Sequence, residues 1–259
     1  MSNLRICVAG ATGWTGGAIA EAVAAADDLE LASGVSRSAA GSELHGVRVL
    51  GTVAEALDGV DVMVDFTSHE VVKANALAAI DRGVAVVIGT SGLTADELAE
   101  IDAAARARGV GAIAAGNFSL TAAMAQAAAL LAARHLPSWE VIDYASAGKA
   151  DAPSGTAREL AERLGQVRPP QVERAVGDTA GAREARGATI GGTQVHSLRL
   201  PSFVVSTEVV FGLPDERLSI RHDAGGSPAP YVAGTLLAAR AAPGRVGLVR
   251  GLDTLLVGG

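Results

Sequence analysis

The chain has 259 residues, 49% of them hydrophobic, which is enough for two modest domains that each bury a core. Its 21 Lys and Arg residues against 28 Asp and Glu give a formal net charge of −7 without a basic run, so a nucleic-acid-binding surface is not expected. The single cysteine, Cys7, lies in an apolar segment and is interpreted as a buried residue, which excludes a disulfide framework and fits a reducing compartment.

The N-terminal segment, residues 1–5, runs straight into an apolar strand. It lacks the apolar core and the cleavage site of a signal peptide. The most apolar long segment, residues 118–133, is mostly alanine and contains Thr121 and Gln126, so it falls short of a membrane span. We therefore expect a cytoplasmic protein that has neither nucleic acid nor a membrane as a partner.

The first 114 residues alternate short apolar strands with helices. Strands are predicted at residues 4–9, 29–35, 60–66, 84–88 and 110–114. Helices follow the first, third and fourth of them and end near residues 26, 82 and 108. Thr94, with Glu97 three residues later, forms a capping box at the start of the last of these helices. The alternation is typical of βαβ units and predicts an α/β fold with a doubly wound, Rossmann-type parallel sheet.

After Asn117 the pattern changes. A helix is predicted at residues 120–134, a strand at 140–144 and an amphipathic helix at 156–164, which Gly165 is expected to end. Successive antiparallel strands are expected at residues 195–200, 204–211 and 217–222, followed by a helix at 231–241 and an apolar segment at 246–249. Residues 166–193 are left unassigned. We predict a dinucleotide-binding domain formed by residues 1–118 and 231–259, and a substrate-binding and oligomerisation domain, residues 119–230, of α+β type on an open mixed sheet.

A glycine loop, residues 10–16, follows the first strand and opens the first helix. Gly10 permits a tight turn, Gly13 lets the backbone approach a pyrophosphate, and Gly16 allows close packing of helix and strand. A glycine-rich turn without a ligand is the alternative interpretation. The loop predicts a dinucleotide site that also includes Thr12, Trp14 and Thr15.

The end of the second strand indicates which dinucleotide is preferred. NAD-binding sites usually carry Asp or Glu there, whose carboxylate accepts hydrogen bonds from the ribose hydroxyls. This chain has Ser36 and Arg37 instead. Without the carboxylate a 2′-phosphate is not repelled, and a guanidinium can bind it through paired charged hydrogen bonds. We predict NADPH as the preferred cofactor, with NADH also accepted.

A second motif, the anion loop of residues 149–157, reads K-A-D-A-P-S-G-T-A. Lys149 supplies a cation, and Ser154, Gly155 and Thr156 place hydroxyls and backbone N–H groups at the start of a helix. Such a helix end binds anions. Because the loop lies far downstream of the glycine loop, the anion it suits best is a carboxylate on a substrate. An ordinary surface lysine is the alternative interpretation of Lys149.

Several segments together resemble the dihydrodipicolinate reductase family of lysine biosynthesis. They are the glycine loop, residues 65–67, 89–92 and 117–119, and above all residues 149–157, which are highly specific. The resemblance covers nearly the whole chain. It implies NAD(P)H in the first domain, a cyclic imine-containing dicarboxylate in the second, closure of the two domains over the ligands, and a homotetramer formed through the substrate-domain sheets, with residues 204–211 as a candidate surface.

The resemblance also implies roles for individual residues. By it, the nicotinamide ribose and ring are lined by Phe66, Thr67, Gly89 and Thr90. Asn117 and Phe118 face the nicotinamide at the domain junction. Ser154, Gly155 and Thr156 hold a substrate carboxylate, and Lys149 lies nearby as a cation or proton donor.

The chain departs from the family pattern on the substrate side. Ala145 and Ser146 stand where the family usually carries a pair of histidines, one of them assigned as the acid that protonates the reduced substrate. Val205, Ser206 and Thr207 replace a Gly-Glu-His signature. An alanine cannot carry a proton, so we expect an altered substrate or altered proton delivery, with the hydride chemistry retained.

A few titratable residues are candidates to complete the substrate site. Lys149 or Tyr144 is predicted as the replacement acid, although a tyrosine at a strand end is more often a packing residue. His196 is predicted to contact the substrate, with a hydrogen-bonded strand histidine as the alternative. Asp65 is expected to shape its loop rather than to act as a base. The other histidines are scattered and no metal site is predicted; they are His45, His69, His135 and His222.

The leading functional hypothesis is an NAD(P)H-dependent oxidoreductase that reduces a small carboxylated cyclic imine. An imine reductase or amine dehydrogenase on the same scaffold, with another substrate, is the alternative that the missing histidines favour. A cofactor-binding sensor without catalysis is a third hypothesis, which the intact anion loop disfavours.

Overall fold

The computed structural model describes residues 3–257, which divide into two compact units. The first unit comprises the described residues up to Leu120 and those from Pro228 onward, and the second comprises Thr121–Ser227. The strands are β1 Leu4–Ala9, β2 Leu29–Val35, β3 Glu43–Leu44, β4 Val47–Leu50, β5 Val62–Asp65, β6 Ala85–Ile88, β7 Gly111–Ala114, β8 Ser138–Ala145, β9 Ala188–Ile190, β10 Thr193–Arg199, β11 Val205–Leu213, β12 Glu216–Ala224 and β13 Gly247–Arg250. The α-helices are α1 Trp14–Ala24, α2 Val53–Ala56, α3 His69–Asp81, α4 Ala95–Arg108, α5 Leu120–Ala133, α6 Gly155–Val167, α7 Ala229–Ala241 and α8 Asp253–Val257.

The first unit is built on one sheet with the strand order β13-β7-β6-β5-β1-β2-β4-β3. Its pairs are parallel except for β3, which runs antiparallel to β4. Every residue of β5, β6 and β7 is buried, as is typical of parallel strands covered on both faces. The predicted doubly wound fold is confirmed.

The strand order places a switch point beside β1. The chain leaves β1 toward β2 on one side and later returns to β5 on the other. Ligands of doubly wound sheets bind at such a point, outside the carboxyl ends of the strands. The glycine loop follows β1, residues 66–67 follow β5, and residues 89–90 follow β6, so three segments of the predicted cofactor site lie at this edge.

Local signals in the first unit appear as the sequence predicts. The Thr94 Oγ1 atom accepts from the Glu97 N–H at 3.2 Å, and the Thr94 N–H donates to Glu97 Oε2 at 2.8 Å, which is the capping box. Gly109 ends α4 with a φ of +69°.

Cys7 is fully buried in β1, and burial raises the pKa of its thiol to about 11, so the thiol stays protonated and unreactive.

The second unit is a five-stranded mixed sheet with the order β12-β11-β8-β10-β9. β8 and β10 are parallel, whereas the other neighbours are antiparallel. Helices α5 and α6 supply alanines and leucines to a core that also contains Trp139 of β8 and Phe211 of β11. Within residues 3–257 no helix combines the length and apolarity needed to cross a membrane.

The predicted run of three antiparallel strands is wrong at its first member. β10 does not pair with β11; it lies on the far side of β8 and runs parallel to it, with Arg199 opposite Ala145. The reason is that α6 forms a crossover between β8 and β10, and a helical crossover returns the chain in the same direction. The chain between α6 and β10 runs through the region left unassigned from the sequence. This region contains β9 and single turns of 3₁₀-helix at Val176–Asp178 and Arg183–Arg186.

The predicted role of Gly165 as a helix stop is also wrong. Helix α6 continues through it to Val167. A Cβ at position 165 would lie 2.0 Å from the carbonyl oxygen of Gly191. The glycine is therefore needed because another backbone segment packs directly against the helix, and not because the helix ends there.

Candidate active site

The glycine loop folds tightly on itself in the first unit. Gly10 has a φ of +83°, and a Cβ there would lie 2.2 Å from the Phe66 carbonyl oxygen. A Cβ on Gly16 would lie 2.1 Å from the Gly10 carbonyl oxygen. Gly13 is the extended N-cap of α1 and brings no side chain to cap it. A loop with no side chains in the way and a helix N-terminus behind it fits a pyrophosphate.

Asp65, at the end of β5, organises the two neighbouring loops. Its buried carboxylate accepts from the Thr67 N–H at 3.0 Å and from the hydroxyls of Thr67 and Thr90, both at 2.7 Å. Asn75 donates to its other oxygen at 2.9 Å. Asp65 thus shapes the loop, as expected. The hydroxyl protons of Thr67 and Thr90 point to this carboxylate, so they are not donors to a ligand.

Two phenylalanine rings pack against each other in the same region of the first unit. The Phe66 and Phe118 rings meet edge to face at 5.9 Å, and a Cβ on Gly89 would lie 2.2 Å from the Phe66 ring. Phe66 is half-buried, whereas Phe118 is only 2% exposed. Phe118 therefore supports Phe66 from beneath, which corrects the prediction that it faces the nicotinamide. Asn117 accepts from the Ser119 N–H at 2.8 Å and shapes the turn before α5.

Hydroxyl groups cluster beyond β2, where the dinucleotide preference is expected to be set. The hydroxyls of Thr12 and Ser36 are 2.7 Å apart, and that of Ser38 is 3.3 Å from that of Ser36. Arg37 is exposed beside them. The structure thus brings a cationic side chain and three hydroxyls to one place, without a carboxylate among these four residues.

The remaining predicted residues of the glycine loop lie at the start of α1. Trp14 is 56% exposed, and its ring stands edge-on to that of Tyr231 at 6.1 Å. Thr15 is half-buried in the first helical turn. Trp14 is therefore held by an aromatic neighbour while most of its surface is open to solvent.

In the second unit the anion loop leads into the N-terminus of α6. Ser154 is the N-cap, and its Oγ accepts from the Ala157 N–H at 3.3 Å. Both donors of Ser154 are directed to Asp143 of β8: the hydroxyl at 2.6 Å and the backbone N–H at 2.9 Å. Ser154 is 2% exposed. It anchors the loop rather than gripping a ligand, which corrects its predicted role, while Gly155 and Thr156 are half-buried at the helix start.

Asp143 and its partners were not predicted as site residues. The carboxylate of Asp143 is completely buried and also accepts from Ser197 Oγ at 3.1 Å and from Arg199 Nη2 at 2.8 Å. Burial alone would raise its pKa, but the hydrogen bonds from Ser154 and the guanidinium of Arg199 outweigh burial and lower the pKa. The carboxylate is therefore ionised near neutral pH. The sequence signal was a charged residue in alternation with the apolar residues Trp139, Val141 and Ala145, which form the inward face of the strand.

Lys149 lies on the same loop as the helix start. Its Nζ is 2.6 Å from Asp151 Oδ1, and its backbone N–H donates to the Ser146 carbonyl oxygen at 3.1 Å. The Asp151 carbonyl oxygen in turn accepts from Arg199 at 2.7 Å. Lys149 and Arg199 are thus linked through Asp151, and the role of Lys149 beside Gly155 and Thr156 stays a prediction.

Tyr144 lies on the opposite face of the sheet. Successive residues of a strand point to opposite faces, and its neighbour Asp143 points to α6. The Tyr144 hydroxyl donates to Glu208 at 3.0 Å, and the Arg221 guanidinium lies 4.6 Å from its ring centre. Burial and the Glu208 carboxylate raise the pKa of Tyr144. Neither its position on this face nor its raised pKa favours the predicted role of Tyr144 as a proton donor at the anion loop.

His196 is displaced from the anion loop in the same way. It follows Val195, which packs in the core, and precedes Ser197, which reaches Asp143, so its ring points to the other face. There its Nε2 lies 2.7 Å from Glu140 Oε2. This arrangement is the alternative interpretation, a hydrogen-bonded strand histidine, and the substrate contact of His196 stays a prediction.

Ala145, the first of the two residues that replace the family histidines, ends β8. It is fully buried and lies opposite Arg199 on one side and Val205 on the other. Among the described residues there is no group of three or more His, Cys, Asp or Glu side chains that could hold a metal ion.

A doubly wound domain with a glycine loop at its switch point, followed by a second domain on a mixed sheet, is typical of nicotinamide-dependent oxidoreductases. Residues 4–118 match the family model for the N-terminus of dihydrodipicolinate reductase, and residues 116–256 match the model for its C-terminus. The chain belongs to the dihydrodipicolinate reductase family, whose members are NAD(P)H-dependent enzymes.

Individual relatives agree with this assignment. The chain is 36% identical over 255 residues to the 4-hydroxy-tetrahydrodipicolinate reductase of Streptococcus suis (strain 05ZYH33), covering 98% of this chain and 100% of the relative. The structure of dipicolinate-bound dihydrodipicolinate reductase from Paenisporosarcina sp. TG-14 aligns with a TM-score of 0.77 and 26% identity, covering 97% of this chain and 99% of that one. An amine dehydrogenase from Mycobacterium smegmatis aligns with a TM-score of 0.61, covering 96% and 95%, but at 15% identity it shows the fold alone.

Proposed function

We propose that the protein reduces a small cyclic imine that carries carboxylate groups, as the name of its 4-hydroxy-tetrahydrodipicolinate reductase relatives indicates, and that it prefers NADPH. The observation that carries the proposal is the anion loop, where Asp151 pairs with Lys149 at 2.6 Å and is itself held by Arg199 at 2.7 Å, three residues before Ser154, the N-cap of α6. The dipicolinate that the Paenisporosarcina structure is described as binding is a cyclic dicarboxylate of this kind.

The substrate carboxylate binds at the first turn of α6. The backbone N–H groups of Gly155 and Thr156 lie at the positive end of a helix of 13 residues, which favours an anion. Lys149 now pairs with the Asp151 carboxylate at 2.6 Å. A substrate carboxylate competes with Asp151 for this ammonium, so binding exchanges one ion pair for another.

The residues of the first unit fit a dinucleotide. The glycine loop and the uncapped start of α1 provide amides for the pyrophosphate. Arg37, with the hydroxyls of Thr12, Ser36 and Ser38, suits a 2′-phosphate better than bare ribose hydroxyls, because no carboxylate stands there to accept from them. A reduced nicotinamide held in this unit supplies the hydride for the reaction.

The proton of the reaction comes from Lys149 in this proposal. Reduction of a conjugated imine adds a hydride to an electron-poor carbon and leaves electron density on nitrogen or carbon that must be protonated. An N–H bond of the Lys149 ammonium breaks, its proton goes to that atom, and the amine regains a proton from water. General acid help of this kind is worth roughly 10²–10⁴ in rate.

The experiment is a turnover assay in which the product of dihydrodipicolinate synthase is offered with NADPH. We expect NADPH oxidation by the parent protein, a kcat at least about a hundredfold lower for Lys149→Ala, and a raised KM for Thr156→Val. Thr156→Ser retains the hydroxyl, and Lys73→Ala removes a half-buried lysine of the first unit that pairs with Glu100, so both serve as controls. Absence of turnover by the parent with either NADPH or NADH contradicts the proposed function.

We also propose a homotetramer, since members of the family are commonly oligomeric. The face of the second sheet that carries Tyr144, His196 and Val210, away from α6, is the surface for it. Sedimentation equilibrium tests the proposal: a mass of one or two chains at micromolar concentration contradicts it.

A further inference from the structure

We propose that Asp143 and Arg199 are positioning residues, which hold the anion loop to the buried carboxylate of Asp143. They thereby fix both parts of the anion site, the backbone N–H groups at the start of α6 and the Lys149 ammonium. The inference rests on the proposed function, because it assigns roles at the same site. Neither residue belongs to the loop itself: Asp143 comes from β8 and Arg199 from β10.

Asp143 fixes the backbone N–H groups at the start of α6. Asp143 receives the hydroxyl and the backbone N–H of Ser154 at 2.6 and 2.9 Å. Ser154 is the N-cap of α6, so these two bonds set where the helix begins and in which direction its first N–H groups point. The strand that carries Asp143 is in the middle of the sheet, paired on both sides, and does not move easily.

Arg199 fixes the Lys149 ammonium through Asp151. Arg199 Nη2 lies 2.8 Å from Asp143 Oδ2 and 2.7 Å from the Asp151 carbonyl oxygen, so one nitrogen bridges the buried carboxylate and the loop. The side chain of Asp151 holds Lys149 at 2.6 Å. A single run of contacts therefore leads from the sheet through Arg199 and Asp151 to the ammonium.

The pair also removes an electrostatic conflict. A buried aspartate close to the N-terminus of α6 would repel a substrate carboxylate, because little solvent is present to screen it. The guanidinium of Arg199 neutralises Asp143, and the side chain of Arg199 is itself largely buried, at 17% exposed. Losing either partner leaves the other charge buried and unpaired, which is strongly unfavourable.

The test measures the affinity of pyridine-2,6-dicarboxylate for the full-length protein saturated with NADPH, together with the KM for the imine substrate. We expect Asp143→Asn and Arg199→Lys each to weaken dicarboxylate binding by about tenfold or more, because each breaks charged hydrogen bonds to the loop. The affinity for NADPH alone should stay within about twofold of the parent, which shows that the first unit is folded. Arg199→Lys retains the charge and protects the test against a misfolded Asp143 variant.

The matched control is Glu140→Gln. Glu140 lies on the same strand as Asp143 but on the opposite face, where it pairs with Arg186 and His196, both within 2.7 Å. The change in charge is the same, so unaltered dicarboxylate binding in this variant shows that the effect belongs to the face of α6. Equal loss in Glu140→Gln, or parent-like binding in both Asp143→Asn and Arg199→Lys, overturns the proposal.

Hydrogen exchange separates this inference from the proposed function. Without any substrate, the amides of Ala157 and Arg158, which donate to the hydroxyl and the carbonyl oxygen of Ser154 at 3.3 and 2.9 Å, should exchange about tenfold faster in Asp143→Asn than in the parent, because Ser154 loses its anchor. If the parent neither binds nor reduces the dicarboxylate but this exchange still accelerates, the proposed function fails and the positioning role stands. Unchanged exchange rules out the positioning role whatever the substrate is.

Discussion

Gly165 of α6 packs against the backbone of Gly191 so closely that a Cβ on Gly165 would lie 2.0 Å from the Gly191 carbonyl oxygen. Helix propensity alone favours Gly165→Ala by about 1 kcal/mol. Overpacking against a backbone costs about 1–3 kcal/mol or more, since a carbonyl cannot swing aside as a side chain can. We expect net destabilisation of the second unit, measured as a lower midpoint in urea unfolding. Gly177→Ala is the control, because a Cβ there meets nothing within 4 Å, and a rise in stability for Gly165→Ala would contradict the packing shown.

A matched pair of glycines tests the cofactor loop. A Cβ on Gly16 would lie 2.1 Å from the Gly10 carbonyl oxygen, whereas one on its neighbour Gly17 would lie at an ordinary 3.6 Å from the Ala11 carbonyl oxygen. We expect Gly16→Ala to distort the loop and to weaken NADPH binding at least about tenfold, and Gly17→Ala to leave it nearly unchanged. Titration of the nicotinamide fluorescence measures both. Equal affinities in the two variants would show that the loop does not have this geometry or does not bind the dinucleotide.

The first unit was predictable because its signals are local. The spacing of the glycines, the capping box at Thr94 and the short apolar strands each act over a few residues. The second unit was less predictable because its topology depends on pairing between distant strands. That β10 runs parallel to β8 follows from the crossover through α6, yet nothing in residues 193–199 themselves distinguishes a parallel strand from an antiparallel one.

The candidate site shows the same division. Lys149, Gly155 and Thr156 are neighbours in the chain, so the sequence alone groups them, and their role in binding stays a prediction. Tyr144 and His196 lie close in sequence to residues that contact the anion loop. Strand alternation nevertheless puts each side chain on the face of the sheet away from α6, which the sequence did not reveal. The anchoring role of Ser154 was missed because its partner Asp143 is 11 residues away, on a strand whose inward face was not identified from the sequence.

Acid unfolding tests the state of Asp143. Its pKa in the folded chain is below the ordinary value of 3.8, because the hydrogen bonds from Ser154 and the charge of Arg199 outweigh burial. Between the two values the unfolded chain binds more protons, so acid favours unfolding. The stabilisation is complete above the ordinary value and is lost as the pH falls through the folded value. We expect the difference in unfolding free energy between the parent and Asp143→Asn to shrink as the pH is lowered below about 4. A difference that stays constant down to pH 2 would show that folding does not lower the pKa of Asp143.

Arg37 tests the dinucleotide preference. It is exposed beside the hydroxyls of Ser36 and Ser38, where a 2′-phosphate would replace the carboxylate contact found in NAD-binding sites. Removing a guanidinium that makes charged hydrogen bonds to a phosphate costs about 1.5–3 kcal/mol, or roughly tenfold to a hundredfold in KM. We expect Arg37→Ala to raise the KM for NADPH by that factor and to leave the KM for NADH within about twofold. Arg82→Ala, another exposed arginine of the first unit, should change neither value, which separates a specific contact from a general loss of positive charge. A parallel rise in both KM values for Arg37→Ala would instead place Arg37 on a part that the two dinucleotides share, and the NADPH preference would then need another cause.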